Sequence, residues 1–413
     1  MFNFFLRNNN DIDHIIPVAW KIAQSANEVH LIITTHPAYR RVYRLDYLSR
    51  NANIYIHHIL DFLPIKATMR MQILREVIKN KTPNEINFPD VWNDCCVRFS
   101  LYENIIKSLF LNRNAIACFD WITTPFVCTF LKILKKLSIK CISLPHGITV
   151  FTNKLVGKDM INYASIEKKG EKNNLYDYVV VPNNYGKDRL IGTLPQEKIQ
   201  VLGSARYCRE WRHILSSATT LPPVNIANDA KLKVAFFLRD YGYDIFWEEV
   251  LRTYQLIIQF PGVHLIVKHH PRSVGQQHLM RLYPALFSLK APNLTILSDE
   301  GSSVPLVEWA DLIVDSGTSI TIDGALRGKP VLCLEYLHPN RTVMAENIRN
   351  CDIQTRDQLY NWIEFFLENK QFEFYGEELQ NLESLWINNY DVDVLGRYSS
   401  FLNNVAAGNI LKF

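Results

Sequence analysis

The sequence predicts an α/β chain of two doubly wound domains in tandem. Three observations predict it. Short apolar runs alternate with segments of helical periodicity, the pattern of a parallel sheet covered by helices. The alternation lapses in "SSATTLPPVNIANDAK" (216–231), rich in Ser, Thr, Pro and Asn, and then restarts. The length of 413 residues exceeds one ordinary core. The first domain is therefore placed at 1–205, a linker at 206–231 and a second domain at 232–375, with terminal helices at 376–413 expected to pack back on the first domain.

In the first half, "VHLIITT" (29–35) and "ANIYIHHI" (52–59) read as strands. "TMRMQILREVIKN" (68–80) has helical spacing. "AIACFD" (115–120) reads as a strand and "FVCTFLKILKKLSI" (126–139) as a helix with a basic face. "KCISLPHG" (140–147) and "YDYVVVPN" (176–183) are further strands with their exits. In the second half, "KVAFFLRD" (233–240), "GVHLIVKHHPR" (262–272), "NLTILS" (293–298), "DLIVDSG" (311–317) and "KPVLCLE" (329–335) read as strands. Helices are expected at 244–260, about 318–327, 356–369 and 398–413. Asp244, directly before "IFWEEV", fits an N-cap.

Apolar residues make up 48% and charged residues 21%, which excludes a disordered chain. A net charge of +4 suits a small anionic ligand or a membrane surface and excludes a nucleic-acid binder with a dense basic stripe. The eight cysteines form no CxxC pair and mostly sit in apolar runs, as expected of a reducing, cytoplasmic compartment. The N-terminal stretch has no apolar run with a cleavage site, so a signal peptide is not expected. The longest apolar region, 115–134, carries Asp120 and Lys132, so a spanning helix is not expected either. The basic run "LKILKKL" (131–137) is a solvated face or a peripheral contact with anionic lipid at the inner face of the membrane.

The chemistry collects at predicted strand exits, where doubly wound sheets bind ligands, and a cleft between the domains is the expected place. "ADLIVDSGTSITIDGALRGKPVLCLEY" (310–336) reads strand, small-residue loop, helix, Gly, strand. Gly317 allows close backbone approach, and Thr318 or Ser319 can cap the helix. With Ser316, these residues form a loop suited to phosphate. Asp323, one turn on, can accept hydrogen bonds from ribose hydroxyls. An ordinary capped crossover is the competing reading of the loop.

"VKHHPRS" (267–273) places two imidazoles and two cations after an apolar run. Adjacent histidines on an extended segment point apart, and no partner ligands are evident, so no metal is expected. His269 reads as a packed structural histidine. His270, held extended by Pro271, is the candidate phosphate contact, flanked by Lys268 and Arg272, which add a positive field or lie in solvent. Asp240, at the end of "FFLRD", is a candidate catalytic carboxylate, with Arg239 as its neighbour. His146 in "LPHG" can orient an acceptor or sugar, or simply stabilise the turn. Glu167 in "YASIEKKG" is a candidate acid/base whose alternative is a solvated loop residue. Gly203, Ser204 and Arg206 in "VLGSAR" form a hinge turn or touch phosphate.

These motifs resemble those of GT-B glycosyltransferases and their relatives, over roughly residues 140–340. "DSGTSITIDGALRGKPVL" is similar to their Ser/Thr-rich loop, acidic helix and GKPV strand. "KHHPR" is similar to their His-Pro motif, and "SLPHGITVFTN" to the Pro-His-Gly turn of surface-polysaccharide enzymes. The resemblance implies two Rossmann-like domains facing across a cleft, with the nucleotide sugar held mostly by the second. Within the group it is greatest to bacterial retaining β-Kdo transferases, which implies a CMP-Kdo donor, a glycan or lipid-linked glycan acceptor and no metal or other cofactor. It also implies that Asp240 acts as the nucleophile of a double displacement. Three other expectations stand beside it: CDP-glycerol phosphotransfer or CMP-sialate transfer, a UDP-sugar 2-epimerase-like enzyme, and a non-catalytic nucleotide-sugar-binding protein.

Overall fold

The computed structural model describes residues 1–7, 9–34, 43–63, 72, 101–111, 114–120, 124–147, 150–151, 175–188, 190–192, 194–219, 230–239, 244–270, 279–297, 302–369, 372–387 and 393–409. Asp240, Glu167, Pro271 and Arg272 lie outside these residues, as does the helix expected at 68–80.

The chain divides into two compact units. One comprises Met1–Gly147, Tyr163–Arg212 and Ser384–Phe413; the other comprises Ile148–Asn162 and His213–Glu383. Each is built on one parallel sheet. The first sheet contains β1 (Phe2–Leu6), β2 (Val29–Ile33), β3 (Ile54–His58), β4 (Ile116–Asp120), β5 (Lys140–Leu144), β6 (Tyr178–Val181) and β7 (Ile199–Val201), in the order β3-β2-β1-β4-β5-β6-β7. The second contains β8 (Leu232–Phe237), β9 (Val263–Lys268), β10 (Leu294–Leu297), β11 (Leu312–Asp315), β12 (Val331–Leu334) and β13 (Asp352–Ile353), in the order β10-β9-β8-β11-β12-β13. In both sheets the first strand is central and the order reverses beside it. This is the doubly wound topology, with switch points between β1 and β4 and between β8 and β11.

The strands are apolar because both faces are covered; β1, β2, β4, β9 and β11 are buried along their whole length. In the first unit Phe5 stacks on Phe119 at 4.6 Å and meets Phe130 edgewise at 5.4 Å. Each such ring contributes roughly 1.5–3 kcal/mol on burial. Phe130 belongs to the helix Pro125–Lys136, which starts where Thr124 accepts from Val127 N (3.3 Å) with Pro125 behind it.

Several features differ from the sequence reading, the short strands β7 and β13 among them. The strand β1 and the helix Asn9–Gln24 were not anticipated; the helix contains Pro17, which reads locally as a break. The segment expected as a linker contains the helix Arg209–Ala218, whose Trp211 and Leu215, one turn apart, are buried. Phe246, not Asp244, stands at the N-cap of the helix Trp247–Ile257. The last helix starts at Val394, where Asp393 accepts from Gly396 N at 2.7 Å. That helix lies against Asn9–Gln24, and Tyr398 donates to Gly203 O at 2.9 Å. Among the described residues no helix is long and apolar enough to cross a membrane.

Candidate active site

In the first unit, the carboxyl ends of β1, β4 and β5 bring together four charged side chains. Arg7 follows β1, Asp120 ends β4, and His146 lies two residues beyond β5. Asp11 sits in the first turn of the helix Asn9–Gln24. Arg7 N donates to Asp11 Oδ2 at 2.7 Å, while its guanidinium reaches Asp120 Oδ2 through Nε at 3.0 Å and Nη2 at 2.5 Å. His146 Nδ1 lies 2.5 Å from Asp11 Oδ1 and 3.2 Å from Asp120 Oδ2. One imidazole nitrogen thus faces two carboxylates, and the guanidinium shares Asp120 Oδ2 with it. Tyr176, fully buried, donates to Asp120 O at 3.1 Å and fixes the end of β4.

The electrostatics follow from burial. The side chains of Asp11 and Asp120 are 0% and 1% exposed, those of His146 and Arg7 16% and 21%, so the imidazole and the guanidinium are the members placed to meet a ligand. Burial opposes a charged imidazole, but hydrogen bonds and attraction from Asp11 and Asp120 outweigh it and raise His146 to about 9. Asp11 is raised by burial and by Asp120, against the pull of His146 and Arg7. Ligand atoms of Asp11, Asp120 and His146 lie within 4.8 Å of one another, a spacing a cation could use. Arg7 and a protonated His146 already balance both carboxylates, so a cation would have to displace that proton and compete with the guanidinium. As built, the group suits proton transfer.

His146 was the sequence candidate here. Arg7, Asp11 and Asp120 were not, although Asp120 closes a run already read as a strand. The strand-exit argument that selected Asp240 applies equally to it.

In the second unit, the register rows Phe237↔Lys268, Phe237↔Asp315 and Asp315↔Cys333 align the ends of β8, β9, β11 and β12. The loop 316–319 and His270 therefore share one edge. Asp315, fully buried, accepts from Gly317 N (2.6 Å), Thr318 N (2.7 Å) and Thr318 Oγ1 (2.5 Å). The anion these two amides hold is thus an internal one. Burial pushes the Asp315 carboxyl up to about 7, against those bonds and the field of Arg239. Ser316 is buried; its hydroxyl accepts from Arg239 N at 3.0 Å and donates to Phe237 O at 3.3 Å. Ser319 is the N-cap of the helix Ile320–Ala325 without a side-chain cap bond, and Asp323 within that helix is buried.

Gly317 has φ +91°, and a Cβ there would lie 2.8 Å from the Phe151 ring, so only glycine fits. The Arg239 guanidinium lies over the same ring, 4.1 Å from its centroid, and donates to Gly317 O. His338 meets Phe151 edgewise at 5.3 Å and is driven to about 4 by burial. Neither Phe151 nor His338 carried a local signal. His269 is buried, stacked on Phe287 at 4.3 Å and lowered to about 4, the packed histidine expected of it. Lys268 is buried in β9 rather than solvated, because every position of that strand is covered; His270 is half-buried.

No family model and no curated protein matches this chain. Solved structures do match, over nearly the full length. UDP-GlcNAc 2-epimerase from Methanocaldococcus jannaschii is 12% identical with a TM-score of 0.54, covering 99% of each chain. UDP-GlcNAc 2-epimerase from Neisseria meningitidis, bound to UDP-GlcNAc, is 13% identical with a TM-score of 0.55, covering 99% of this chain and 100% of its own. A glycosyltransferase from Rickettsia africae is 13% identical with a TM-score of 0.53, covering 99% of this chain and 98% of its own. The fold is therefore the two-domain GT-B type seen in nucleotide-sugar epimerases and transferases.

Proposed function

We propose that this chain is a nucleotide-sugar enzyme of the 2-epimerase type, acting on a UDP-sugar such as UDP-GlcNAc without an acceptor. The observation that carries this reading is the Arg7–Asp11–Asp120–His146 group at the β1/β4 switch point. Inverting C2 requires its proton to leave as the C1–O bond to the nucleotide breaks, forming a C1–C2 double bond. A proton must then return from the other face as the C1–O bond re-forms, so acid/base groups are needed at the sugar. His146, held protonated by the buried Asp11 and Asp120, supplies one such acid/base group at this strand exit. The names of the Methanocaldococcus jannaschii and Neisseria meningitidis structures support UDP-GlcNAc as the first substrate to try.

In this reading Lys268, His270, Pro271, Arg272, Ser319 and Asp323 hold the nucleotide, while Ser316, Gly317 and Thr318, whose amides and hydroxyls already serve Asp315, Arg239 and Phe237, set the shape of the loop. Neither a metal nor another cofactor is required.

A second reading is transfer of Kdo with retention from CMP-Kdo to a glycan or lipid-linked glycan, with Asp240 and Glu167 as the reacting carboxylates. The His-Pro and Ser-Gly-Thr-Ser motifs and the likeness to the Rickettsia africae glycosyltransferase favour it.

Donor-only turnover separates the two. Incubation with UDP-GlcNAc alone, followed by proton NMR, is expected to build up a second UDP-sugar epimeric at C2. An unchanged donor, together with turnover of CMP-Kdo once an acceptor is added, would replace the first reading by the second.

A further inference from the structure

The amino end of the first sheet, opposite the strand exits, carries a basic surface set with exposed leucines. The register pair Ile116↔Lys140 puts the starts of β4 and β5 side by side. Asn3 Nδ2 donates to Leu109 O (3.4 Å) and Ile116 O (3.2 Å), which ties the end of the helix Leu101–Leu109 to the start of β4. Phe110 meets Phe130 of the helix Pro125–Lys136 edgewise at 6.2 Å. The turns that leave these two helices therefore come out at one edge. Leu111 on the first turn is 79% exposed and Leu137 on the second is 50% exposed, against a helix whose inner face, Phe126, Phe130 and Leu134, is buried.

Around the leucines, Lys132, Lys135, Lys136 and Lys140 are all exposed. Lys140 pairs with Asp177 at 3.0 Å; among the described residues the other three have no ion-pair partner. A single exposed leucine is unremarkable in water. Two of them beside three uncompensated lysines match an anionic bilayer surface. There the leucines bury apolar area at the headgroup boundary, and the ammonium groups meet lipid phosphates while their stems lie along the acyl region.

We propose that this edge is a membrane-surface contact for anionic lipid, with Leu111 and Leu137 as the inserted residues and Lys132, Lys135 and Lys136 as the main phosphate contacts. It is independent of the reaction, because no residue of the catalytic cluster takes part.

The test is co-sedimentation of the full chain with phosphatidylcholine vesicles, with and without phosphatidylglycerol. The chain is expected to sediment with the phosphatidylglycerol vesicles, and less so as salt rises. The Lys132→Glu, Lys135→Glu, Lys136→Glu triple variant should bind roughly a hundredfold more weakly, at the usual free energy per lysine near such a surface. Leu111→Ser with Leu137→Ser should remove the binding that persists at high salt. A wild-type chain that stays in the supernatant with phosphatidylglycerol overturns the proposal, whether or not the variants fold. So does a folded triple variant that binds like wild type, or an acidic protein that binds this face while vesicles do not.

Discussion

His146 takes its chemistry from two carboxylates that lie far from it in the chain. Its folded pKa of about 9 stands above the ordinary 6.5, so its contribution to stability is complete below about 6.5 and is lost as pH rises through about 9. If its protonated form is the acid of the reaction, activity falls over the same upper limb. The account predicts a kcat/KM profile that declines through about pH 9. His146→Gln should lose that limb and at least about a hundredfold in rate, the usual weight of one acid/base group. A variant with unchanged rate and profile would reduce His146 to a turn residue. His146 was legible because Pro145 and Gly147 mark a strand exit. Asp120 was legible in principle, as the last residue of an apolar run. Arg7 and Asp11 were not, since nothing near them in sequence hints that a carboxylate more than a hundred residues away will face them.

At the scale of elements, strands with long apolar runs, such as "VHLII" and "VAFF", stand out from their surroundings. Short or interrupted elements do not: β7 has three residues, and Pro17 disguises the helix that carries Asp11. The helix Ile320–Ala325 shows how an element is positioned. A Cβ on Gly324 would come within 2.5 Å of Ile313 Cδ1 and 3.0 Å of Val331 Cγ2, so this helix lies tight against β11 and β12. Gly324→Ala must displace the buried Ile313 side chain or the helix itself, at an overpacking cost of about 1–3 kcal/mol. Thermal unfolding should show the loss, and nucleotide affinity should fall with it because the 316–319 loop feeds directly into this helix. Unchanged melting would mean that the helix has room to spare. The Ser-Gly-Thr-Ser loop itself was legible as a turn between strand and helix. Its internal anion was missed because Asp315 reads locally as the last residue of a strand.

At the scale of the whole molecule, the alternation of runs gave the class, while the strand orders came from three-dimensional closure alone. Placing β1 between β2 and β4, and β8 between β9 and β11, puts a switch point in each unit and gathers the chemistry there. Residues 7, 11, 120 and 146 meet for that topological reason, which no local pattern encodes. The central claim is that this meeting point moves a proton on the sugar. The most direct test is the reaction of the proposed UDP-sugar alone in D2O, with wild type and Asp120→Asn. The account predicts deuterium at the inverted carbon of the product with wild type, and little product with the variant, whose Arg7 is left facing an uncharged amide. Product without deuterium, or product formed only when an acceptor is present, would contradict it.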